Sequence, residues 1–120
     1  MEPSKKDWKM FREKIGQWQE AYMEILNQRY IALLSNEELP ASERFWKLQQ
    51  AIQVDRHRPG VCLELRKQTM VYDLAALIED RAITGEDLAE FSDEVKERVA
   101  ILFQQPRGDQ FYPSYLDDPC

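Results

Sequence analysis

The feature that most constrains this chain is one apolar stripe near its start. Trp8, Phe11, Ile15, Trp18, Tyr22 and Leu26 succeed one another at spacings of three or four, and Leu33 lies further along. That period, near 3.6, is the signature of an amphipathic helix. Ile25, Tyr30 and Leu34 widen the stripe. Ser4 with Asp7 three residues on reads as a capping box in which the shorter Asp replaces Glu or Gln. Ser35-Asn36 supplies a stop. About 30 helical residues span ~45 Å, more than a small globule needs. The helix must therefore bend near Gly16, project at one end, or pair with another chain.

The remaining breaks fall at 35–40, Pro59-Gly60, Thr84-Gly85 and Pro106-Arg107-Gly108, and they punctuate a chain of helices. A second helix follows Pro40, with Ser42 near its start and Phe45, Trp46, Leu48 or Gln49, and Ile52 on its apolar face. It is expected to close on Arg56-His57-Arg58, cations that the carbonyl end of a helix favours. Val61–Leu65 alternates as a strand would, but no partner strand is evident, so an early helical turn is expected. From about Arg66 to Arg81 the chain is apolar almost all round, as in a helix at the centre of a domain. Thr84 with Asp87 opens a fourth helix, whose stripe is Leu88, Phe91, Val95, Val99 and Leu102. Ser92-Asp93-Glu94 could split it in two. The fold expected is all-α: a single four- or five-helix, bundle-like domain over 1–104 and an irregular acidic and aromatic tail over 105–120. Phe111, Tyr112, Tyr115 and Leu116 in that tail are expected to dock on the domain or on a partner.

Composition enters where it excludes something. With 43% apolar and 32% charged residues among 120, the chain is too apolar to be disordered and charged enough to be soluble. No apolar run approaches the ~18–20 residues of a membrane span, so transport across a bilayer by this chain alone is excluded. The N-terminus lacks the apolar stretch of a secretion signal, which points to the cytoplasm and to free thiols at Cys62 and Cys120. The net charge of −6 is unevenly placed: residues 1–83 hold 13 basic and 13 acidic side chains, while 84–120 hold 3 and 9. An acidic last third repels phosphate backbones and attracts basic protein surfaces.

Chemistry-bearing patterns are few. The single histidine, His57, reads as a surface residue between Arg56 and Arg58. No serine sits in a G-x-S-x-G turn, and Cys62 is separated from His57 by a Pro-Gly break. One His and two distant Cys do not make a usual zinc site, and 79–87 lacks the alternating ligands of a calcium loop. No phosphate-binding glycine loop occurs. Arg107-Gly108-Asp109 spells an adhesion tripeptide without an extracellular context. No catalytic residue, cofactor or metal is therefore expected. Arg29 falls within the first stripe; if buried it needs a carboxylate, with Asp55 or Asp73 as candidates. Trp8, Trp18 and Trp46 read mainly as core members of their stripes, although tryptophan is also favoured at interface centres.

Two stretches together resemble a known group. Gly16-Gln17-Trp18-Gln19-Glu20-Ala21-Tyr22 is one; Pro59-Gly60-Val61, with Ile83-Thr84-Gly85-Glu86-Asp87-Leu88 and Phe91-Ser92-Asp93-Glu94, is the other. Over about 8–103 the chain is similar to small gut-Firmicutes proteins, some of them labelled "multidrug transporter". The resemblance implies a soluble cytoplasmic protein of a mobile element and transfers no functional residue. The transporter label conflicts with the absence of a span.

The expected function is a non-catalytic protein-binding module. One form of it is an acidic inhibitor, of the anti-defence type found in phages, that occupies a basic nucleic-acid groove. Its contact residues would be Glu86, Asp87, Glu90, Asp93, Glu94 and Glu97, with Trp8 and Trp18. A homodimer through the first helix is a further expectation. The alternatives are a DNA-binding transcriptional regulator using the basic Arg56–Lys67 region, and an enzyme whose site is not recognised.

Overall fold

The computed structural model describes residues 3–103, and the fold is all-α. Its helices are α1 (Lys5–Leu34), α2 (Ala41–Asp55), α3 (Met70–Glu79) and α4 (Asp93–Phe103). Single 3₁₀ turns, Lys67–Thr69 and Gly85–Leu88, precede α3 and α4. No strand occurs among the described residues. The tail expected over 105–120, with its aromatic residues and Arg107-Gly108-Asp109, lies outside them.

α1 is one continuous helix of 30 residues, with no break at Gly16. Its first half carries the core. Phe11 and Ile15 pack with Met70, Val71, Leu74, Ala75 and Leu77 of α3, with Ile83, Leu88 and Phe91, and with Val95 and Val99 of α4. α3 is the buried centre, as its all-round apolarity predicts. The molecule is correspondingly elongated, 51 × 26 × 26 Å.

One carboxylate closes this core. Asp7 is only 3% exposed. The Ser4 hydroxyl accepts from the Asp7 amide at 3.1 Å and donates to Asp7 Oδ2 at 2.9 Å. From 85 residues away, the Ser92 amide donates to Asp7 Oδ1 at 3.0 Å and the Ser92 hydroxyl to Oδ2 at 2.7 Å. Ser92 Oγ in turn accepts from Val95 N–H at 3.3 Å, starting α4. Asp7 thus fixes the N-terminal ends of α1 and α4 together. Burial works against its ionised form, but the Ser92 amide and hydroxyl, the Ser4 hydroxyl and nearby Lys6 outweigh burial and hold the carboxyl below its ordinary range.

Several boundaries differ from those expected. α2 ends at Asp55, so Arg56-His57-Arg58 forms a turn beyond it rather than its last turn. The amides of Val61 and Cys62 both donate to Arg58 O at 2.9 Å. The segment 62–66 that follows is irregular, neither the early helical turn nor a strand. α3 begins at Met70 rather than Arg66, after the 3₁₀ turn. The expected break at Ser92 is present, and α4 starts at Asp93.

Where α3 ends, Arg81 adopts φ 64°, the left-handed region that glycine usually fills. Ala82 N–H donates to Leu77 O at 2.8 Å and Arg81 N–H to Ile78 O at 3.0 Å, a Schellman closure. It turns Ile83 into the core. The Thr84 amide then donates to Asp87 Oδ2 at 2.8 Å, the predicted capping box.

Two expectations follow. Asp7→Ala, which leaves the Ser92 amide without its acceptor, should lower unfolding free energy by about 2–3 kcal/mol in urea titration. Because the folded pKa of Asp7 lies below the unfolded 3.8, its contribution is complete above that value and is lost as pH falls through the folded one. The stability difference between wild type and Asp7→Ala should therefore shrink below about pH 4. Arg81→Gly should raise stability by about 0.5–1 kcal/mol, since it relieves a left-handed Cβ at some cost in unfolded-chain entropy; unchanged or lower stability would show that Arg81 is not strained.

Candidate functional site

Past Trp18, α1 leaves the main core cluster; Tyr22 and Leu26 are still buried, and what packs along its far end is α2. The 15-residue α2 contains no buried residue at all. Its inner line is Arg44, Leu48, Ala51 and Asp55, all half-buried. Arg44 Nη1 donates to Leu34 O at 2.7 Å and its Nε to Leu39 O at 3.1 Å, tying α2 to the end of α1. Phe45 and Trp46 are each 61% exposed, in edge-to-face contact with ring centroids 5.0 Å apart. The expectation that Trp46 belongs to the core is thus corrected. Helical periodicity shows which side of a helix is apolar, not whether anything covers it. Ile25, Ile31 and Leu34 on α1 and Ile52 and Val54 on α2 are exposed as well.

The hairpin is anchored to the core by a polar junction. The Tyr30 hydroxyl donates to Asp55 Oδ2 at 2.6 Å, and Arg58 Nε to Asp55 Oδ1 at 2.7 Å. Arg58 Nη1 also reaches Asp80 Oδ1 at 3.5 Å. Gln19 Nε2 donates to Pro59 O at 3.0 Å, and Gly60 lies so close to the Tyr22 ring that a Cβ there would stand 2.6 Å from Tyr22 Cγ. Burial raises the Tyr30 pKa to about 12, helped by the bond to Asp55. The two carboxylates are unequal partners of Arg58. The Asp55 bond is foremost in raising the Arg58 pKa, whereas burial raises that of Asp80 despite the Arg58 charge. Asp55 at 2.7 Å is the structural partner, and Asp80 at 3.5 Å is a lesser one.

The residues singled out from sequence fall elsewhere. Trp8 and Trp18 are half-buried against the core. The Trp8 ring is 5.4 Å from the Arg12 guanidinium carbon, and the Trp18 ring is 6.4 Å from those of both Phe11 and Phe91. Glu86, Asp87, Glu90, Asp93, Glu94 and Glu97 are all exposed. Asp87 is engaged in its capping box, Glu90 lies 4.0 Å from Lys14, and Asp93 lies 3.6 Å from Lys96. Glu94 and Glu97 stand on the face of α4 opposite Val95 and Val99. These acids occupy the core end of the molecule, away from the hairpin tip.

Arg29 is exposed, so it needs no buried carboxylate; the Asp55 considered for it serves Tyr30 and Arg58 instead. Asp73 is buried and accepts from the Thr69 hydroxyl at 3.1 Å. In the basic region, Arg58 is held by Asp55 and Asp80, and Arg66 by Glu64 at 2.8 Å. His57 is half-buried rather than a surface residue, and its enclosed Nδ1 makes no hydrogen bond. Cys62 is buried and disulfide-bonded rather than free; Cys120, the chain's other cysteine, lies outside the described residues. Among the described residues, no group of three or more His, Cys, Asp or Glu could hold a metal ion, and no helix is long and apolar enough to cross a membrane.

No protein-family model, curated protein or solved structure matches this chain.

The junction predicts an order of effects. Asp55→Ala should cost about 2–3 kcal/mol, and Tyr30→Phe about 1 kcal/mol. Asp80→Asn should cost less than either. The raised Tyr30 pKa means that the contribution of its neutral hydroxyl is complete below pH 10 and is lost as pH rises toward about 12. The difference in stability between wild type and Tyr30→Phe should vanish over that window.

Proposed function

We propose that this chain is a non-catalytic protein-binding module whose binding surface is the α1–α2 hairpin. The observation that carries this reading is α2 itself: it buries no residue, yet it presents Phe45, Trp46, Ile52 and Val54 to solvent. Isolated exposed apolar residues are ordinary, but aromatic and branched residues gathered on one projecting element mark a surface that is covered in use.

A second version uses the acidic end, where Glu86, Glu90, Glu94 and Glu97 stand exposed and could occupy a basic nucleic-acid groove on a target, as an inhibitor from a phage or other mobile element would. The DNA-binding alternative has less support. Arg58 and Arg66 are engaged by carboxylates, and α3, the helix that would enter a groove, supplies the core. A cytoplasmic setting is in tension with the Cys62 disulfide, because a reducing cytosol disfavours such bonds.

A tagged pull-down from a bacterial lysate treated with nuclease separates the versions. Trp46→Ser should lower recovery of the partner at least tenfold at unchanged circular dichroism, while the triple reversal Glu90→Lys, Glu94→Lys, Glu97→Lys leaves it intact. The opposite pattern transfers the function to the acidic end. Recovery of DNA that nuclease removes would favour the regulator.

A further inference from the structure

We infer that Cys62 and Cys120 form a redox-controlled latch. Oxidised, the bond fastens residues 104–120 to the root of the α1–α2 hairpin; reduction releases that segment and leaves the helices folded.

The pairing follows from burial and count. Cys62 is disulfide-bonded and only 5% exposed, and the sequence has one other cysteine, Cys120. Two sulfurs must approach to about 2 Å to bond. An enclosed Cys62 cannot approach the equally enclosed Cys62 of a second copy, so its partner is Cys120.

The anchor lies at a well-fixed point. The Val61 and Cys62 amides both donate to Arg58 O. Gln19 Nε2 donates to Pro59 O, and Gly60 lies against the Tyr22 ring. Arg58 is itself held by Asp55 and Asp80. The sulfur therefore stands where the hairpin meets the core.

The bond is not what holds the core. The cluster around Phe11, Leu74 and Val95 does not include Cys62, and the last helix ends at Phe103. A reduced Cys62 is a small apolar side chain that tolerates burial. What the bond adds falls on residues 104–120, joined to the domain through Phe103 and, when oxidised, through Cys62. That segment carries Phe111, Tyr112, Tyr115 and Leu116 beside Asp117 and Asp118. These four apolar residues precede Cys120 by four to nine positions, so the closed bond keeps them within ~30 Å of Cys62. The open one frees an aromatic and acidic segment from the hairpin root.

The latch opens by exchange with a low-molecular-weight thiol such as glutathione. Burial screens the Cys62 sulfur, so the thiolate attacks that of Cys120. The S–S bond breaks, and Cys62 leaves as a thiolate and takes up a proton. A second thiolate attacks the mixed disulfide, frees Cys120 and completes the small-molecule disulfide. The two reductant thiols thus supply two electrons and two protons. Closing is the reverse, with the small disulfide as oxidant. The latch is therefore shut in an oxidising compartment and open in a reducing one.

Peptide mapping of the full chain, purified without reductant and alkylated with iodoacetamide, tests the pairing. It should find Cys62 joined to Cys120 in a monomer. Limited trypsin digestion then tests the latch at Arg107, the one basic residue within 104–120. Reduction with glutathione should speed cleavage there at least fivefold at unchanged circular dichroism. Cys120→Ser should be cleaved at the rate of reduced wild type, with or without glutathione. Alkylated Cys62 in the unreduced protein, or a bond joining two chains, overturns the inference. Loss of helix on reduction also overturns it, since the bond is then a structural staple. Cleavage that speeds less than fivefold overturns it as well, since the bond then does not hold the segment.

Discussion

A single buried carboxylate holds the two ends of the core together. Asp7 caps its own helix through Ser4 and receives both the amide and the hydroxyl of Ser92, the residue that starts α4. Each of those donors belongs to a helix end whose N–H groups otherwise lack partners. Joining the two ends through one charged acceptor satisfies both and sets the depth at which Phe91 and Val95 meet Phe11 and Ile15. The main core cluster engages the first half of α1, through Trp8, Phe11, Ile15 and Trp18, while Tyr22 and Leu26 are buried further along the 30-residue helix.

What remains of α1 follows from that closure. A helix continuing past its core can only fray, meet water with a polar surface, or acquire a neighbour. Here the neighbour is α2, held by side chains at both ends: Arg44 on the carbonyls of Leu34 and Leu39, and Asp55 between Tyr30 and Arg58. Neither attachment is an apolar core. The hairpin is thus held by hydrogen bonds, an ion pair and the burial or partial burial of Leu26, Leu33, Leu48 and Ala51, while Phe45, Trp46 and Ile52 stay exposed.

The legibility of the fold in the sequence divides along physical lines. Local grammar was readable: the α1 stripe, the Ser4 cap, the apolar α3, the Thr84–Asp87 box and the break at Ser92 are all set by residues within a few positions of one another. The contact between Asp7 and Ser92 was not, since nothing in a helix-start acid announces a partner 85 residues away. Arg58 read as a cation suited to a helix end, but its position is set by Asp55 and Asp80, which are brought together only by the tertiary fold. The α2 stripe of Phe45, Trp46 and Ile52 was legible as apolar and illegible as uncovered, because coverage depends on how far the core extends. Cys62 reads as a free thiol from sequence, whereas in the structure it is disulfide-bonded, a pairing that no local pattern encodes. The candidate surface is therefore visible only once the limits of the core are known; Phe45, Trp46 and Ile52 read as apolar from sequence, whereas Val54 falls in no stripe.

The same reasoning explains why charge and apolar surface lie at opposite ends. The acids of the last third begin as helix grammar: Glu86 and Asp87 open one turn, and Asp93 and Glu94 open α4, each where the N-terminal dipole favours them. Those helix starts sit at the core end because Asp7 draws Ser92 there. The hairpin tip carries its own acids, Glu37, Glu38 and Glu43, but it also holds the exposed Phe45 and Trp46. The clasp that completes the core thereby also separates the chain's two surfaces, an acidic one fixed to the core and an apolar one carried some 40 Å along α1, by 27 residues at ~1.5 Å each.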